Sequence, residues 1–92
     1  MTVGPSTSAR TLTLKVLLFA TYAEQAGRES VVLTLPDPAT VADVLHHLRS
    51  SVPGLDRLPI QPLAAVNQAH ARLTAPVRDG DEVAFLPPLA GG

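Results

Sequence analysis

The residues of the 92-residue chain whose types and spacing point to chemistry are the last ones, Pro87-Pro88-Leu89-Ala90-Gly91-Gly92. The reactive group would be the carboxylate of Gly92, carried behind two residues that have no side chains. With glycine near 7% of average sequences, a terminal glycine pair arises by chance in only about 0.5% of chains. Lacking Cβ atoms, Gly91 and Gly92 can thread a passage too narrow for other residues and take backbone angles that others avoid. Pro87 and Pro88 fix φ and hold their segment extended, and six extended residues reach about 20 Å. The expectation is a carboxylate held away from a globular body and delivered into the active site of another protein.

No self-contained active site competes with this tail. His46 and His47 are adjacent on a helical pattern and so do not share a face, which reads as solvated helix surface. His70 has no carboxylate or histidine at ligand spacing and reads as rim packing. Asp79, Asp81 and Glu82 surround Gly80 as a turn followed by the start of a strand. Ser50-Ser51 has no histidine and aspartate set for nucleophilic work. The chain contains no cysteine, which excludes disulfides, thiolate metal sites and thiol nucleophiles and fits a reducing compartment.

Composition narrows the class further. With 46% hydrophobic and 16% charged residues, the chain has the makings of one small folded domain. A net charge of -1 gives no basic stripe, and Phe19, Phe85 and Tyr22 are the only aromatics. Nucleic acid is therefore not an expected ligand. No apolar run approaches the roughly 18 residues of a membrane span and no signal pattern opens the chain, so a cytoplasmic protein without a membrane partner is expected.

The elements that must position the tail follow from periodicity. From Leu12 to Phe19 the chain alternates, with Leu12, Leu14, Val16 and Leu18 on a core face and Thr13, Lys15, Leu17 and Phe19 opposite. The apolar second half of that outer face is more than solvent requires, so Leu17 and Phe19 are expected to meet a partner. Tyr22, Ala23 and Ala26 before Gly27 predict a short helix over 21–26. Val31, Leu33 and Leu35 predict a second strand over 29–35, ended by Pro36-Asp37-Pro38. Thr40 as a cap, with Val41, Val44, Leu45 and Leu48 at i, i+3, i+4 and i+7, predicts the longest helix, to about Ser51. Residues 55–62 read as a loop, Leu63–Val66 as a strand, Asn67-Gln68 as a turn, 69–73 as a weaker return strand and Asp79-Gly80 as a turn. The last strand, 82–86, points Val83 and Phe85 inward and Ala84 and Leu86 outward. One long helix covers one sheet face. Leu17, Phe19 and Leu86 then share the open face beside the departing tail, an apolar patch of the kind that marks a protein interface.

The strand order, the Ala65-Val66-Asn67-Gln68 turn, the run Asp79-Gly80-Asp81-Glu82-Val83-Ala84-Phe85 and the closing Pro-Pro-Leu-Ala-Gly-Gly together resemble the small sulfur-carrier subunits of molybdopterin synthases. The likeness spans about residues 12 to 92 and is closer to these than to ubiquitin or to the thiazole-forming sulfur carriers. It implies an α+β, ubiquitin-like β-grasp domain, a mixed sheet of four to five strands packed on one main helix. Met1 to Arg10, a Thr/Ser/Gly/Pro stretch without periodicity, reads instead as a loose leader from its composition, with the domain over 11–86 and the tail over 87–92.

The resemblance also implies a chemistry. A ubiquitin-activating-type adenylyltransferase would use ATP to adenylate the Gly92 carboxylate, turning a poor electrophile into one with a good leaving group; sulfur would then displace AMP. The resulting thiocarboxylate would enter the large subunit of molybdopterin synthase and supply sulfur to cyclic pyranopterin monophosphate. No cofactor would be bound by the chain itself. Gly92 matches the reactive terminus, Gly91 the narrow neck, and Pro87, Pro88, Leu89 and Ala90 the inserted tail. Phe19 and Leu86 match positions on the apolar docking face, with Leu17 beside them. His70, after the Asn-Gln turn, is expected at the edge of that docking face, where the family tends to carry an apolar residue instead. Two alternatives stay open: delivery of sulfur to thiazole, cysteine or transfer RNA, and a ubiquitin-like protein modifier.

Overall fold

Alternating apolar residues become strands and the 3.6-residue repeat becomes a helix, as the sequence requires. The computed structural model describes residues 10–55 and 62–87. In chain order the elements are β1 (Thr11–Leu18), α1 (Thr21–Ala26), β2 (Ser30–Pro36), β3 (Ala39–Thr40), α2 (Val41–Ser51), β4 (Leu63–Val66), β5 (Ala69–Ala71), β6 (Pro76–Val77) and β7 (Glu82–Leu86). Five strands form one mixed sheet in the order β2-β1-β7-β4-β5, and β3 and β6 form a separate two-stranded ladder. β1 and β7 run parallel at its centre, with Lys15 opposite Glu82, Leu17 opposite Ala84 and Leu18 opposite Phe85. The other pairings in the sheet are antiparallel.

One face of this sheet packs on α2. Val41, Val44, Leu45 and Leu48 are all buried, against Leu14, Val16, Leu33, Val83 and Phe85 from the strands. The helix start is fixed by a reciprocal cap. The Thr40 N–H donates to Asp43 Oδ2 at 2.8 Å and the Asp43 N–H to Thr40 Oγ1 at 3.4 Å, an arrangement worth about 1 kcal/mol. The segment before β6 satisfies two further N–H groups of the first turn: Val41 donates to the Ala75 carbonyl and Ala42 to that of Leu73. β3 and β6, at two residues each, are too short to show an alternation, and the sequence reading passes over them. After α2, Gly54 adopts φ +92°, and a Cβ there would overlap the carbonyl oxygen of Gln25. Only glycine allows the turn to lie this close to the end of α1.

The acidic group near the last turn is structural. Asp79 Oδ1 accepts the Thr13 N–H at 2.7 Å, and Asp81 accepts the Arg78 N–H at 2.8 Å and the Asn67 side-chain amide at 2.9 Å. Asn67 also accepts the Glu82 N–H through Oδ1 at 3.0 Å. Asn67 and Gln68 both have positive φ, the conformation of a two-residue hairpin loop. The Asn67 side chain thus ties the β4–β5 turn to the start of β7, and β7 in turn leads to the tail.

Tyr22 on α1 is 3% exposed, and its hydroxyl has no hydrogen-bond partner among the described residues. Burial pushes its pKa above the ordinary 10.0, because the low-dielectric surroundings disfavour the phenolate. The folded pKa exceeds the unfolded one, so this contribution to stability is complete below pH 10.0 and is lost as pH rises through the folded value. Tyr22→Phe removes an unsatisfied group and is expected to stabilise the domain by about 1 kcal/mol at neutral pH. It should also flatten the alkaline limb of the melting-temperature profile; a lower melting temperature for the variant in thermal unfolding would show that the hydroxyl is satisfied.

Candidate functional site

Because β1 and β7 are parallel, they finish at the same end of the sheet. Phe19 follows β1 by one residue and Pro87 follows β7 by one, so the chain sets out toward Gly92 beside Phe19. Strand register identifies what shares the open face. Leu17 pairs with Ala84, Ala84 with Ala65, and Ala65 with His70, one row of outward side chains across four strands. In the next row Leu86 pairs with Leu63, next to Phe19. The result is an apolar surface at the tail end of the sheet: Phe19 is 44% exposed, Leu63 38%, and Leu17, Ala84 and Leu86 are half-buried.

The structure therefore brings together Leu17, Phe19, Leu86 and Pro87. It places His70 on the outermost strand, exposed, at the far end of the Leu17 row, about 14 Å from Leu17 by strand spacing. His70 is a rim position. Pro88, Leu89, Ala90, Gly91 and Gly92 lie outside the described residues. Sequence reasoning missed Leu63 as part of this surface. In Leu63-Ala64-Ala65-Val66 every residue is apolar, so nothing local distinguishes the core face from the open one. The pairing with Leu86 makes that distinction.

The turn that presents Phe19 is strained. Ala20 has φ 52° and ψ −128°, a region where a side chain costs on the order of 1–3 kcal/mol. The compensation is visible next to it. The Phe19 carbonyl accepts the Tyr22 N–H at 3.0 Å and the Ala20 carbonyl accepts those of Ala23 and Glu24, so α1 is started by these two residues and closed by Gly27 in the left-handed conformation. The backbone of Phe19 is pinned while its ring faces out. Beside it a cleft of about 330 Å³ is lined by Leu17, Leu18, Phe19, Ala20, Ala23 and Glu29.

Elsewhere, Ser50 Oγ donates to the carbonyls of His46 and His47 at 3.1 Å, a helix-surface role. No group of three or more metal-ligating side chains gathers among the described residues, and none of their helices is long and apolar enough to cross a membrane.

A mixed sheet of this order grasping one main helix, with an apolar patch where the last strand leaves, defines a ubiquitin-like β-grasp protein. The crystal structure of SAMP1 from Haloferax volcanii superposes with a TM-score of 0.76 at 32% identity, covering 87% of this chain and 99% of that one. The chain belongs to the ThiS family, whose model matches residues 16–92. The molybdopterin synthase sulfur carrier subunit of Chlamydomonas reinhardtii is 38% identical over 81 residues, 86% of this chain and 98% of that protein. Small archaeal modifier protein 3 of Haloferax volcanii is 33% identical over 90 residues, with 86% and 98% covered. At 22% identity and a TM-score of 0.60, a chain in the complex of subunits 1 and 2 of the molybdopterin-converting factor from Helicobacter pylori shares the fold.

Proposed function

We propose that this chain is a sulfur carrier of molybdenum cofactor synthesis, the small subunit of a molybdopterin synthase. The observation that carries the reading is the coincidence, at one end of the sheet, of the apolar surface around Phe19 and Leu86 with the exit of β7 toward Gly91-Gly92. A partner that docks on that surface receives the C-terminus into itself. The relatives named as molybdopterin synthase sulfur carrier subunits support the destination of the sulfur.

The chemistry uses the main chain alone. A Gly92 carboxylate oxygen attacks the α-phosphorus of ATP on an adenylyltransferase, pyrophosphate leaves, and an acyl-adenylate results. A sulfur nucleophile then attacks the acyl carbon and AMP departs, leaving the thiocarboxylate. The large synthase subunit supplies the groups that move this sulfur to cyclic pyranopterin monophosphate. The carrier contributes position and reach, which is consistent with a chain that has no cysteine.

Intact-mass measurement tests this. Incubation with the adenylyltransferase, ATP and a sulfur donor should raise the mass by the difference between one sulfur and one oxygen atom, and the product should convert the pterin when the large subunit is added. An unchanged mass with an enzyme active on another carrier would end the proposal. The likeness to a small archaeal modifier protein favours a second reading, attachment of Gly92 to lysines of other proteins; isopeptide-linked adducts with no thiocarboxylate would establish that one instead.

A further inference from the structure

The cleft beside Phe19 has a composition that selects its occupant. It is lined by the apolar Leu17, Leu18 and Phe19 and by Ala20 and Ala23, whose small side chains leave room in it. Among the described residues the one charged group lining it is Glu29. That residue is exposed, its carbonyl accepts the Leu18 N–H at 2.9 Å, and its carboxylate has no ion-pair or hydrogen-bond partner among the described residues. An apolar slot with one unpaired carboxylate and an aromatic ring is complementary to a side chain with a long aliphatic stem and a cationic head. Such stems bury along apolar surface while the head stays polar, and a cation near an aromatic ring gains from its quadrupole. A purely apolar side chain would leave Glu29 partly desolvated and unpaired, which costs free energy.

We propose that the cleft receives an arginine or lysine side chain of the protein that docks on the Phe19 surface, with Glu29 as its counter-ion and Ala20 and Ala23 keeping the slot open. This rests on the sulfur-carrier reading, because it adds an electrostatic contact to the docking surface proposed there. The cleft and that surface are continuous through Leu17 and Phe19. Docking on the apolar surface alone leaves a partner free to slide; one charged peg in a slot fixes its position at the edge, as charge complementarity commonly fixes register.

The experiment is titration of the full chain with its large synthase subunit, at low and at high salt, for the unaltered chain, Glu29→Gln and Ala23→Leu. Glu29→Gln is expected to weaken binding about fivefold at low salt and to flatten the salt dependence. Ala23→Leu fills the slot and is expected to weaken binding about tenfold or more, with the fold of both variants checked by thermal unfolding. If Ala23→Leu weakens binding while Glu29→Gln changes neither affinity nor salt dependence, the occupant is not a cation and the inference is overturned. If both variants bind like the unaltered chain while Phe19→Asp does not, the inference is overturned and the docking surface stands. Failure of the unaltered chain to bind the large subunit overturns the sulfur-carrier reading and this inference with it.

Discussion

Deleting Gly92 is expected to abolish sulfur transfer while leaving the melting temperature unchanged. In the proposed mechanism the reacting atom is the terminal acyl carbon. Removing one extended residue withdraws it by about 3.5 Å from the position the docked domain dictates. Reacting atoms must come within roughly 3–3.5 Å of each other, and a misplacement of 1 Å already costs about a hundredfold in rate. Docking cannot compensate, because the apolar surface around Phe19 and Leu86 fixes where the tail begins. Stability is another matter: among the described residues the buried core runs from Leu12 to Phe85, and a terminal glycine has no side chain to add to it. Thiocarboxylate formation followed by mass, pterin conversion and differential scanning calorimetry are the measurements. Transfer by the shortened chain at the normal rate would place the chemistry elsewhere, and a fall in melting temperature would mean the terminus packs on the domain.

Phe19→Asp is expected to weaken binding of the large subunit by about 30- to 1000-fold, the range of a buried aromatic anchor at an interface centre. Phe19 leaves 44% of its surface exposed in the free chain, and its backbone is held by the bond from the Tyr22 N–H. In the complex the ring would lose water on the side away from Leu17. An aspartate in its place must either desolvate a charge or keep the partner at a distance. The free domain should lose little, within about 1 kcal/mol, because the position is at the surface. Calorimetric or interferometric titration gives the affinity and thermal unfolding the stability. Unaltered affinity in the variant would move the docking surface to another face.

Much of this architecture could be read from residue types. Leu12, Leu14, Val16 and Leu18 alternate with Thr13, Lys15 and Leu17 and are buried as the alternation predicts. The Thr40/Asp43 pair announces the start of α2, and both bonds of the cap form. Gly27 closes α1 in the left-handed conformation that its position suggested. Phe19 and Leu86 were legible as outward apolar residues for the same reason as the core, since a period of two assigns each residue of a strand to a face. What failed to appear had no local signal. β3 and β6 are stabilised by one another and by the loop around α2, and nothing within Ala39-Thr40 or Pro76-Val77 reveals that. Asp79 and Asp81 looked like a turn; that they hold β1, the Arg78 backbone and Asn67 in place emerges from bonds between residues up to 66 positions apart.

The sequence by itself determined both helices, the longer strands, the buried faces of β1, β2, α2 and β7, and the Gly-Gly end, because these follow from local periodicity, backbone freedom and residue chemistry. Tertiary structure alone decided that β1 and β7 lie side by side and parallel, and this brings Leu17, Phe19, Leu63 and Leu86 together where the tail departs and opens a cleft between α1 and Glu29. The reason is physical: a strand's alternation says which side chains share a face, but only hydrogen bonding between distant strands sets which faces become neighbours.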